Sequence, residues 1–253
     1  MTTLEESIAY AMDCSSDTAL VPFMPYILQD FWELGSSPEI IINVIQKHCK
    51  DCSKLRILDL GCGKGAVSVK LAAALQCSCY GIDGISKFIE ISKEKAREYG
   101  VDMLCRFKTG DIRVEIETLE TFDVIILSAI GQVFGDYTSA LSVLSKHLER
   151  DGIIIIHDAY IDDSSPFNHP LYLRRGEFVN QITQAGMQLI DEDFGGAIES
   201  DRDMEFLERR CKELMAAYPE KSALFEKYLQ TQAEEYDVLD NQITGVTMVC
   251  KKV

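Results

Sequence analysis

Short apolar runs alternate with helical patterns along most of the chain from residue 55 onward. Residues 153–156 are four consecutive isoleucines, without the alternating polar residues of a strand that has one solvent-facing side. Unbroken β-branched runs are typical of parallel strands that are buried on both faces. The pattern therefore predicts an α/β fold, a doubly wound and mostly parallel sheet with helices on both faces. The first five predicted strands are residues 55–60, 77–82, 103–107, 122–127 and 152–156.

The last part of the chain departs from this simple alternation. A length of 253 residues suits one elaborated domain, so we interpret the long helical stretch in this part as an insertion rather than a second domain. Pro219 is expected to interrupt the helical stretch there. The predicted elements are a helix at 174–185, a strand at 187–192, helical residues 203–236 and a strand at 243–250.

The first 50 residues form a separate helical region in this interpretation. Ser37 and Pro38 suit the N-cap and the first residue of a helix. Before them, four apolar residues are expected to share one helix face, namely Phe23, Ile27, Phe31 and Leu34. The single domain 1–253 is thus predicted to contain an appendage at 1–50, a core at 51–200 plus 241–253, and an insertion at 201–240.

The charge of the chain argues against a nucleic-acid partner. Its formal net charge is -16 and its isoelectric point is about 4.7, so most of the surface would repel a phosphate backbone. We expect no nucleic acid and instead a small-molecule partner. The residues leave open whether the chain forms a homodimer.

Membrane insertion and secretion are not expected either. No run of about 18 apolar residues occurs, and the first residues carry acids rather than a basic patch followed by an apolar segment. We therefore predict a cytoplasmic protein whose nine cysteines stay reduced. The pairs Cys49/Cys52 and Cys77/Cys79 lack the spacing of a zinc ribbon, so no metal site is predicted.

The glycine-rich segment Gly61-Cys62-Gly63-Lys64-Gly65 follows the first predicted strand. The same letters fit a dinucleotide fingerprint and a loop for S-adenosylmethionine (SAM). In both cases the glycines let a ligand approach the backbone at the start of a helix. The loop alone does not decide between the two cofactors.

Acidic residues lie at three predicted strand ends. The first, Asp59, favours SAM, whereas the second, Asp83, fits both cofactors. Asp59 lies two residues before the loop, where its charge would oppose a pyrophosphate but suits the ammonium and sulfonium of SAM. Asp83 ends the second strand at an expected ligand rim, where a carboxylate can accept both hydroxyls of a ribose. Asp111 follows the third strand and can accept from an adenine amino group.

Four segments resemble successive motifs of the Rossmann-like (class I) SAM-dependent methyltransferases: DLGCGKG, YGIDGISKFIEISKEKA, FKTGDI and FDVIILSAIGQVFG. The resemblance covers about residues 55–192. It implies the strand order 3-2-1-4-5-7-6, with the last strand antiparallel. The helical N-terminal region and the late insertion resemble a small-molecule subgroup, in which the insertion is a lid over the active site.

The resemblance also implies how the residues hold SAM. The three glycines wrap the methionine moiety, Asp83 holds the ribose, and Phe88 or Ile85 packs on the adenine. Asp111 and Ile112 are expected to bind the adenine edge, and Ser128 and Ala129 to border the methyl group. The full predicted cofactor set is Asp59, Gly61, Cys62, Gly63, Gly65, Asp83, Gly84, Ile85, Phe88, Gly110, Asp111, Ile112, Ser128 and Ala129.

The acceptor side is less defined. Ser128-Ala129-Ile130-Gly131 lacks the (D/N)PP(Y/F) signature of enzymes that methylate amino groups of nucleic acids. His157 and Tyr160 follow the fifth strand, where the family builds its acceptor pocket, and are the candidate catalytic residues. Methyl transfer by in-line displacement would rely mainly on alignment and water exclusion. Two alternatives stay open, an NAD(P)-binding oxidoreductase and a non-catalytic SAM-binding module.

Overall fold

The structure is a computed structural model that describes residues 2–12, 14, 17–195 and 200–253. The chain divides into two compact units. One unit contains the described residues of 33–196 and 244–253, and the other contains those of 1–32 and 197–243. Residues 33–50, which the sequence placed in the appendage, therefore belong to the unit that carries the sheet.

The larger unit is built on a seven-stranded sheet in the order β3-β2-β1-β4-β5-β7-β6. Strands β1 to β5 pair in parallel, and β7 is antiparallel to both of its neighbours. The predicted fold class and strand order are confirmed. The strands are β1 Arg56–Leu60, β2 Ser78–Asp83, β3 Cys105–Thr109, β4 Phe122–Ser128, β5 Leu148–Tyr160, β6 Met187–Asp193 and β7 Thr244–Lys252.

Helices flank this sheet on both faces. The helix α3 contacts α4 and β7, α4 contacts α5, and α7 contacts α8. Pro38 is the first residue of α3 and Ser37 its N-cap, as predicted, although the Ser37 side chain makes no capping hydrogen bond. The helices of the whole chain are α1 Leu4–Ala11, α2 Met24–Ile27, α3 Pro38–His48, α4 Ala66–Leu75, α5 Ser86–Glu98, α6 Ile112–Glu115, α7 Tyr137–Leu144, α8 Arg175–Gln184, α9 Ser200–Ala217 and α10 Ser222–Asn241.

Two strands begin two or more residues away from their predicted first residue. The third strand begins at Cys105 rather than at 103, because Met103 lies in the preceding turn and is 91% exposed. The fifth strand begins at Leu148, ahead of the isoleucine run, and the pairing of β4 with β5 shifts register between Phe122 and Val124. Hydrophobic runs identified the buried middle of each strand but not its exposed ends.

The smaller unit consists of helices packed around aromatic side chains. Phe23 makes edge-to-face contacts with Tyr218 and Phe225, at centroid distances of 5.4 and 5.1 Å. Pro219 begins a short turn between α9 and α10, so the predicted break is confirmed. Asp30 accepts hydrogen bonds from Arg209 and Arg210, which lower its pKa to about 2.

The helix face predicted for Phe23, Ile27, Phe31 and Leu34 is wrong. Pro22 and Pro25 fix φ and lack amide hydrogens, and the segment forms a 3-10 turn, Thr18–Phe23, followed by the four-residue helix α2. Leu34 lies beyond this helix, in the unit with the sheet. Among the helices of the described ranges, none has the length and apolar character needed to cross a membrane.

Candidate active site

The loop between β1 and α4 is built on three glycines with left-handed backbone. Gly61, Gly63 and Gly65 have φ angles of 71°, 52° and 73°, which residues with a β-carbon rarely adopt. A β-carbon on Gly61 would also lie 2.6 Å from Cγ2 of Ile130, and one on Gly65 would lie 2.8 Å from Cβ of Ser92. The loop therefore presents backbone rather than side chains at the first turn of α4, where amides lack intrahelical acceptors.

Asp83 ends β2 and binds the glycine loop. Its Oδ2 accepts a 2.9 Å hydrogen bond from the Gly63 amide, and its Oδ1 accepts a 2.8 Å bond from the Ile85 amide. Asp83 is 5% exposed, and burial raises its pKa to about 7 although both amides act to lower it. Asp83 thus lies deeper than the rim position expected for it. Each carboxylate oxygen keeps a lone pair for a further donor.

Asp59 and Cys62 make internal contacts on either side of the first glycine. The hydroxyl of Ser68 in α4 donates a 2.6 Å hydrogen bond to Asp59, and burial raises the pKa of this carboxyl to about 6. Cys62 is buried, which raises its pKa, and its sulfur packs over Gly81 of β2. Both residues connect β1 and its loop to neighbouring elements, and their contact with a cofactor stays a prediction.

The residues after β2 differ in how far they are covered. Ile85, which follows Gly84 and caps α5, keeps a small exposed fraction, whereas Phe88 is fully buried. The ammonium of Lys64, a buried residue of the glycine loop, lies 5.4 Å from the centroid of the Phe88 ring. Of the two residues predicted to pack on adenine, Ile85 is therefore the more accessible.

The third strand end is joined to the second. The Gly110 amide donates a 3.0 Å hydrogen bond to the carbonyl of Asp83, so the ends of β2 and β3 lie side by side. The next residue, Asp111, accepts 2.9 and 2.7 Å bonds from the guanidinium of Arg113, which lower its pKa. It also caps α6, the helix that Ile112 begins. The carboxylate that was predicted to bind adenine is thus hydrogen-bonded to Arg113 through both of its oxygens.

The ends of β4 and β5 are adjacent in register at Ser128 and His157. Ala129 follows Ser128 with a φ of 52°, and its amide donates a 2.9 Å hydrogen bond to the carbonyl of His157. A left-handed conformation costs a residue with a β-carbon about 1–2 kcal/mol. Such strain concentrates at functional sites, and Ala129 is a predicted neighbour of the methyl group.

His157 is engaged within the protein by a residue of β7. Its Nδ1 lies 2.8 Å from the hydroxyl of Thr247. Burial lowers the pKa of the imidazole. His157 is therefore neutral near pH 7.

Tyr160 is also engaged, in a group toward β6. Its hydroxyl lies 3.5 Å from Oε1 of Glu192. The two carboxylate oxygens of Glu192 each accept a hydrogen bond from the guanidinium of Arg175. Burial and the charge of Glu192 raise the pKa of Tyr160. The structure therefore separates the two catalytic candidates, with His157 tied to Thr247 and Tyr160 tied to Glu192.

Residues 34–36, here called the strap, were not predicted to belong to the site. A β-carbon on Gly63 would lie 3.1 Å from Cδ1 of Leu34, and one on Gly35 would lie 2.6 Å from Cβ of Ala129. The Ser36 hydroxyl hydrogen-bonds with that of Ser128. The strap therefore crosses the glycine loop and the end of β4. A glycine before two serines reads as an ordinary linker, so no sequence signal marked it.

Cys49 and Cys52 are not joined by a disulfide. Burial raises the pKa of Cys49 to about 11. Within the described residues, no three or more His, Cys, Asp or Glu side chains are grouped to hold a metal ion.

A family model described as a methyltransferase domain matches residues 51–210. This segment includes β1 through β6, with the glycine loop and every predicted site residue. The chain belongs to this methyltransferase family. The prediction of a Rossmann-like, SAM-dependent methyltransferase is thereby confirmed, and an NAD(P)-binding oxidoreductase is not supported.

Curated relatives of this methyltransferase include O-methyltransferases. The "Ubiquinone biosynthesis O-methyltransferase" of Rickettsia canadensis is 27% identical over 169 residues, 60% of this chain and 70% of that protein. The "Malonyl-[acyl-carrier protein] O-methyltransferase" of Bacillus anthracis is 31% identical over 117 residues, 46% of this chain and 41% of that protein. The chain spans about half the length of several of the curated relatives that it matches.

Solved structures share the fold at low sequence identity. A SAM-dependent methyltransferase of Geobacter sulfurreducens, in complex with S-adenosyl-L-homocysteine, has a TM-score of 0.73 and 17% identity over 90% of this chain and 96% of that one. The [4+2]-cyclase SpnF has a TM-score of 0.71 and 14% identity over 99% of this chain and 96% of that one. A shared fold does not by itself define the chemistry, which depends on the site.

Proposed function

We propose that this methyltransferase moves the methyl group of SAM to a small-molecule acceptor at the carboxyl ends of β1, β2, β4 and β5. The observation that carries the proposal is the bond between Asp83 and the Gly63 amide, which joins the carboxylate proposed to bind the ribose to a loop of three left-handed glycines. This combination fits SAM because the glycines allow a ligand to approach the backbone closely, while each carboxylate oxygen of Asp83 keeps a lone pair for a hydroxyl donor.

Each part of the cofactor has a proposed place. The methionine moiety lies on the glycine loop, the ribose at Asp83, and the adenine against Ile85 and Ile112. Phe88 supports this surface from within the core, since it is fully buried. In this proposal Asp111 stabilises the turn after β3 by binding Arg113. The edge of the adenine is instead bound by the backbone near Ile112.

Bound SAM supplies a methyl group made electrophilic by a sulfonium. The chain contributes alignment, since orientation alone is worth about 7–11 kcal/mol in reactions of this kind. It also contributes shielding from water, since Ser128, Ala129 and the strap border the proposed methyl position. A general base adds to this only where the acceptor atom carries a proton.

The charge of the chain supports a small acceptor rather than a nucleic acid, because a net charge of -16 opposes a phosphate backbone. The O-methyltransferase names of the relatives support an oxygen atom as the acceptor. The free cysteines support a cytoplasmic location. We further propose that residues 201–240 act as a lid, and a homodimer stays an open proposal.

Thermal unfolding in the presence of ligands tests the proposal. S-adenosylhomocysteine at about 100 times its dissociation constant adds about 2.7 kcal/mol of stability, which raises the Tm by several degrees at about 2–4 °C per kcal/mol. NADH is the control and is expected to give no shift. A shift with NADH but none with SAM or S-adenosylhomocysteine would contradict the proposal.

A screen of candidate acceptors with methyl-labelled SAM then tests for catalysis. Transfer of label to one class of small molecule is the expected result. Tight binding of SAM without transfer to any acceptor would instead favour the non-catalytic SAM-binding module.

A further inference from the structure

The strap lies over two parts of the proposed SAM site. Leu34 packs on Gly63, in the loop proposed to hold the methionine moiety. Gly35 approaches Ala129, which is proposed to border the methyl group, so closely that a β-carbon on Gly35 would lie 2.6 Å from Cβ of Ala129. The strap therefore forms one wall of the place where the methionine end of SAM is proposed to bind.

A side-chain hydrogen bond fastens the strap to the sheet. The hydroxyl of Ser36 bonds to that of Ser128, the last residue of β4. Ser128 is only 9% exposed, so water competes little for this bond. The strand that carries Ser128 is itself paired on both sides, with β1 and with β5. Ser128 therefore offers the strap a rigid point of attachment.

The residue before the strap provides a second, weaker anchor. Glu33 forms an ion pair with Lys70 of α4, and their side chains are 44% and 32% exposed. Exposed ion pairs contribute little to stability because water and salt screen them. Between the two anchors, Gly35 is in the left-handed region, with a φ of 72°, where glycine is conformationally free. The position of the strap therefore depends mainly on the bond made by Ser36.

We propose that Ser36 is a positioning residue, which holds the strap against the methionine end of the SAM site by binding Ser128. This inference rests on the proposed function. A strap that is already fixed loses less conformational entropy when the cofactor binds. Ser36 acts in this way through the strap, without a contact of its own to SAM. Binding of the methionine end should therefore depend on Ser36, whereas binding of the adenine and ribose should not.

Two ligands separate these ends of the cofactor. S-adenosylhomocysteine carries the whole amino-acid chain, whereas methylthioadenosine has the adenine, the ribose and the sulfur but lacks the amino and carboxyl groups. Calorimetry measures the affinity for each ligand. Hydrogen exchange of residues 34–36 measures how firmly the strap is held, and exchange of β4 reports whether a variant keeps the fold.

Four variants and a control are compared with the wild type. Ser36→Ala removes the hydroxyl from the strap, and Ser36→Thr keeps one there. Ser128→Ala removes the partner hydroxyl, and the double variant with alanine at both positions tests whether the two residues act through one bond. Ser142→Ala is the control, because the Ser142 hydroxyl donates a 2.6 Å bond to the carbonyl of Thr138 within α7 and is not in the site.

We expect Ser36→Ala to weaken binding of S-adenosylhomocysteine about fivefold, the equivalent of one hydrogen bond, and to speed exchange of the strap. Its affinity for methylthioadenosine should stay unchanged. Ser36→Thr should restore binding of S-adenosylhomocysteine, and Ser142→Ala should change neither measurement. The double variant should lose no more affinity than Ser128→Ala alone, because the shared bond is already broken there.

Unchanged affinity for S-adenosylhomocysteine or unchanged strap exchange in Ser36→Ala would overturn the positioning role. An equal loss for both ligands would overturn it too, since the strap would then not act at the methionine end. Additive losses in the double variant would show that Ser36 does not act through Ser128.

Where β4 also exchanges faster in Ser36→Ala, Ser36→Thr decides, and an equal loss of affinity in both variants overturns the proposal. Failure of the wild-type chain to bind S-adenosylhomocysteine would contradict the proposed function instead. Strap exchange in the same variants would still decide whether Ser36 holds residues 34–36.

Discussion

The two halves of the candidate site are built from different materials. At the ends of β1 to β3 the site consists mainly of backbone, namely three left-handed glycines and amides that bond to Asp83. At the ends of β4 and β5 it consists of side chains that already have partners, such as His157 with Thr247. A site made of backbone restricts the residue types at its positions, whereas a site of paired side chains can be built from many different residue pairs. The first half can therefore be predicted from a sequence and the second cannot.

The pH dependence of stability gives the largest expected effect. Burial raises the pKa of Asp83 from 3.8 to about 7, so between these pH values the folded protein binds the proton that the unfolded chain releases. The free energy of unfolding is therefore highest at low pH with respect to this group. The titration of Asp83 lowers it by up to about 4 kcal/mol as the pH rises toward 7. Asp83→Asn removes this dependence.

Urea unfolding of the wild type and of Asp83→Asn from pH 4 to 7 measures this effect. The variant should gain stability relative to the wild type as pH rises, since all other titrating groups contribute to both curves. Asp59, whose pKa is raised to about 6, remains in both proteins. Parallel curves over the whole range would show that Asp83 does not titrate there.

The glycine loop should give the next largest effect. Gly61→Ala adds a β-carbon 2.6 Å from Ile130 at a left-handed φ, and we expect a loss of about 2–4 kcal/mol in unfolding free energy. Gly186→Ala is the matched control, because Gly186 has a φ of 73° but open space around it. That control should lose about 1–2 kcal/mol. Equal losses in the two variants would mean that close packing at Gly61 adds nothing.

A smaller effect is expected from substitutions at Gly35 and Ala129, measured as the coupling between them in the affinity for S-adenosylhomocysteine. Gly35→Ala places a β-carbon 2.6 Å from that of Ala129, and should weaken binding of S-adenosylhomocysteine. Ala129→Gly removes the opposing atom, so the double variant should recover part of the loss. We expect a coupling energy of about 1–2 kcal/mol in the binding cycle. Strict additivity of the two changes would place the strap away from Ala129.

The smallest effect is expected at Tyr160. Its hydroxyl is 3.5 Å from Glu192, a long contact, so Tyr160→Phe should alter the unfolding free energy by less than about 0.5 kcal/mol. The affinity for S-adenosylhomocysteine should stay unchanged. A clear loss of affinity would show that the acceptor half and the cofactor half are coupled through β5.

The sequence predicted the sheet well for a physical reason. Strands such as β4 and β5 are buried on both faces, and continuous runs of β-branched residues are typical of such strands. The glycines of the loop could be recognised because residues with a β-carbon rarely adopt their left-handed backbone conformation. Gly100, with a φ of 67°, takes the same left-handed conformation just after the end of α5.

The remaining site residues depend on contacts across long sequence distances. The bond between His157 and Thr247 joins residues of two strands, and that between Ser36 and Ser128 joins a linker to a strand end. Neither pairing has a local pattern. At Asp111 the misleading contact is local instead. The motif predicted that its carboxylate binds a ligand, but Arg113, two positions later, binds that carboxylate.

The position of β7 has a consequence for the order of folding. This strand lies between β5 and β6, and β6 has no other partner in the sheet. In the chain, however, β7 comes after β6 and after the helices α9 and α10. The edge of the sheet beyond β5 can therefore form only once a distant segment has returned, and pairing between such distant segments slows folding because loop closure comes first. Thr247 belongs to that returning strand, so its contact with His157 can form only once β7 has paired with β5.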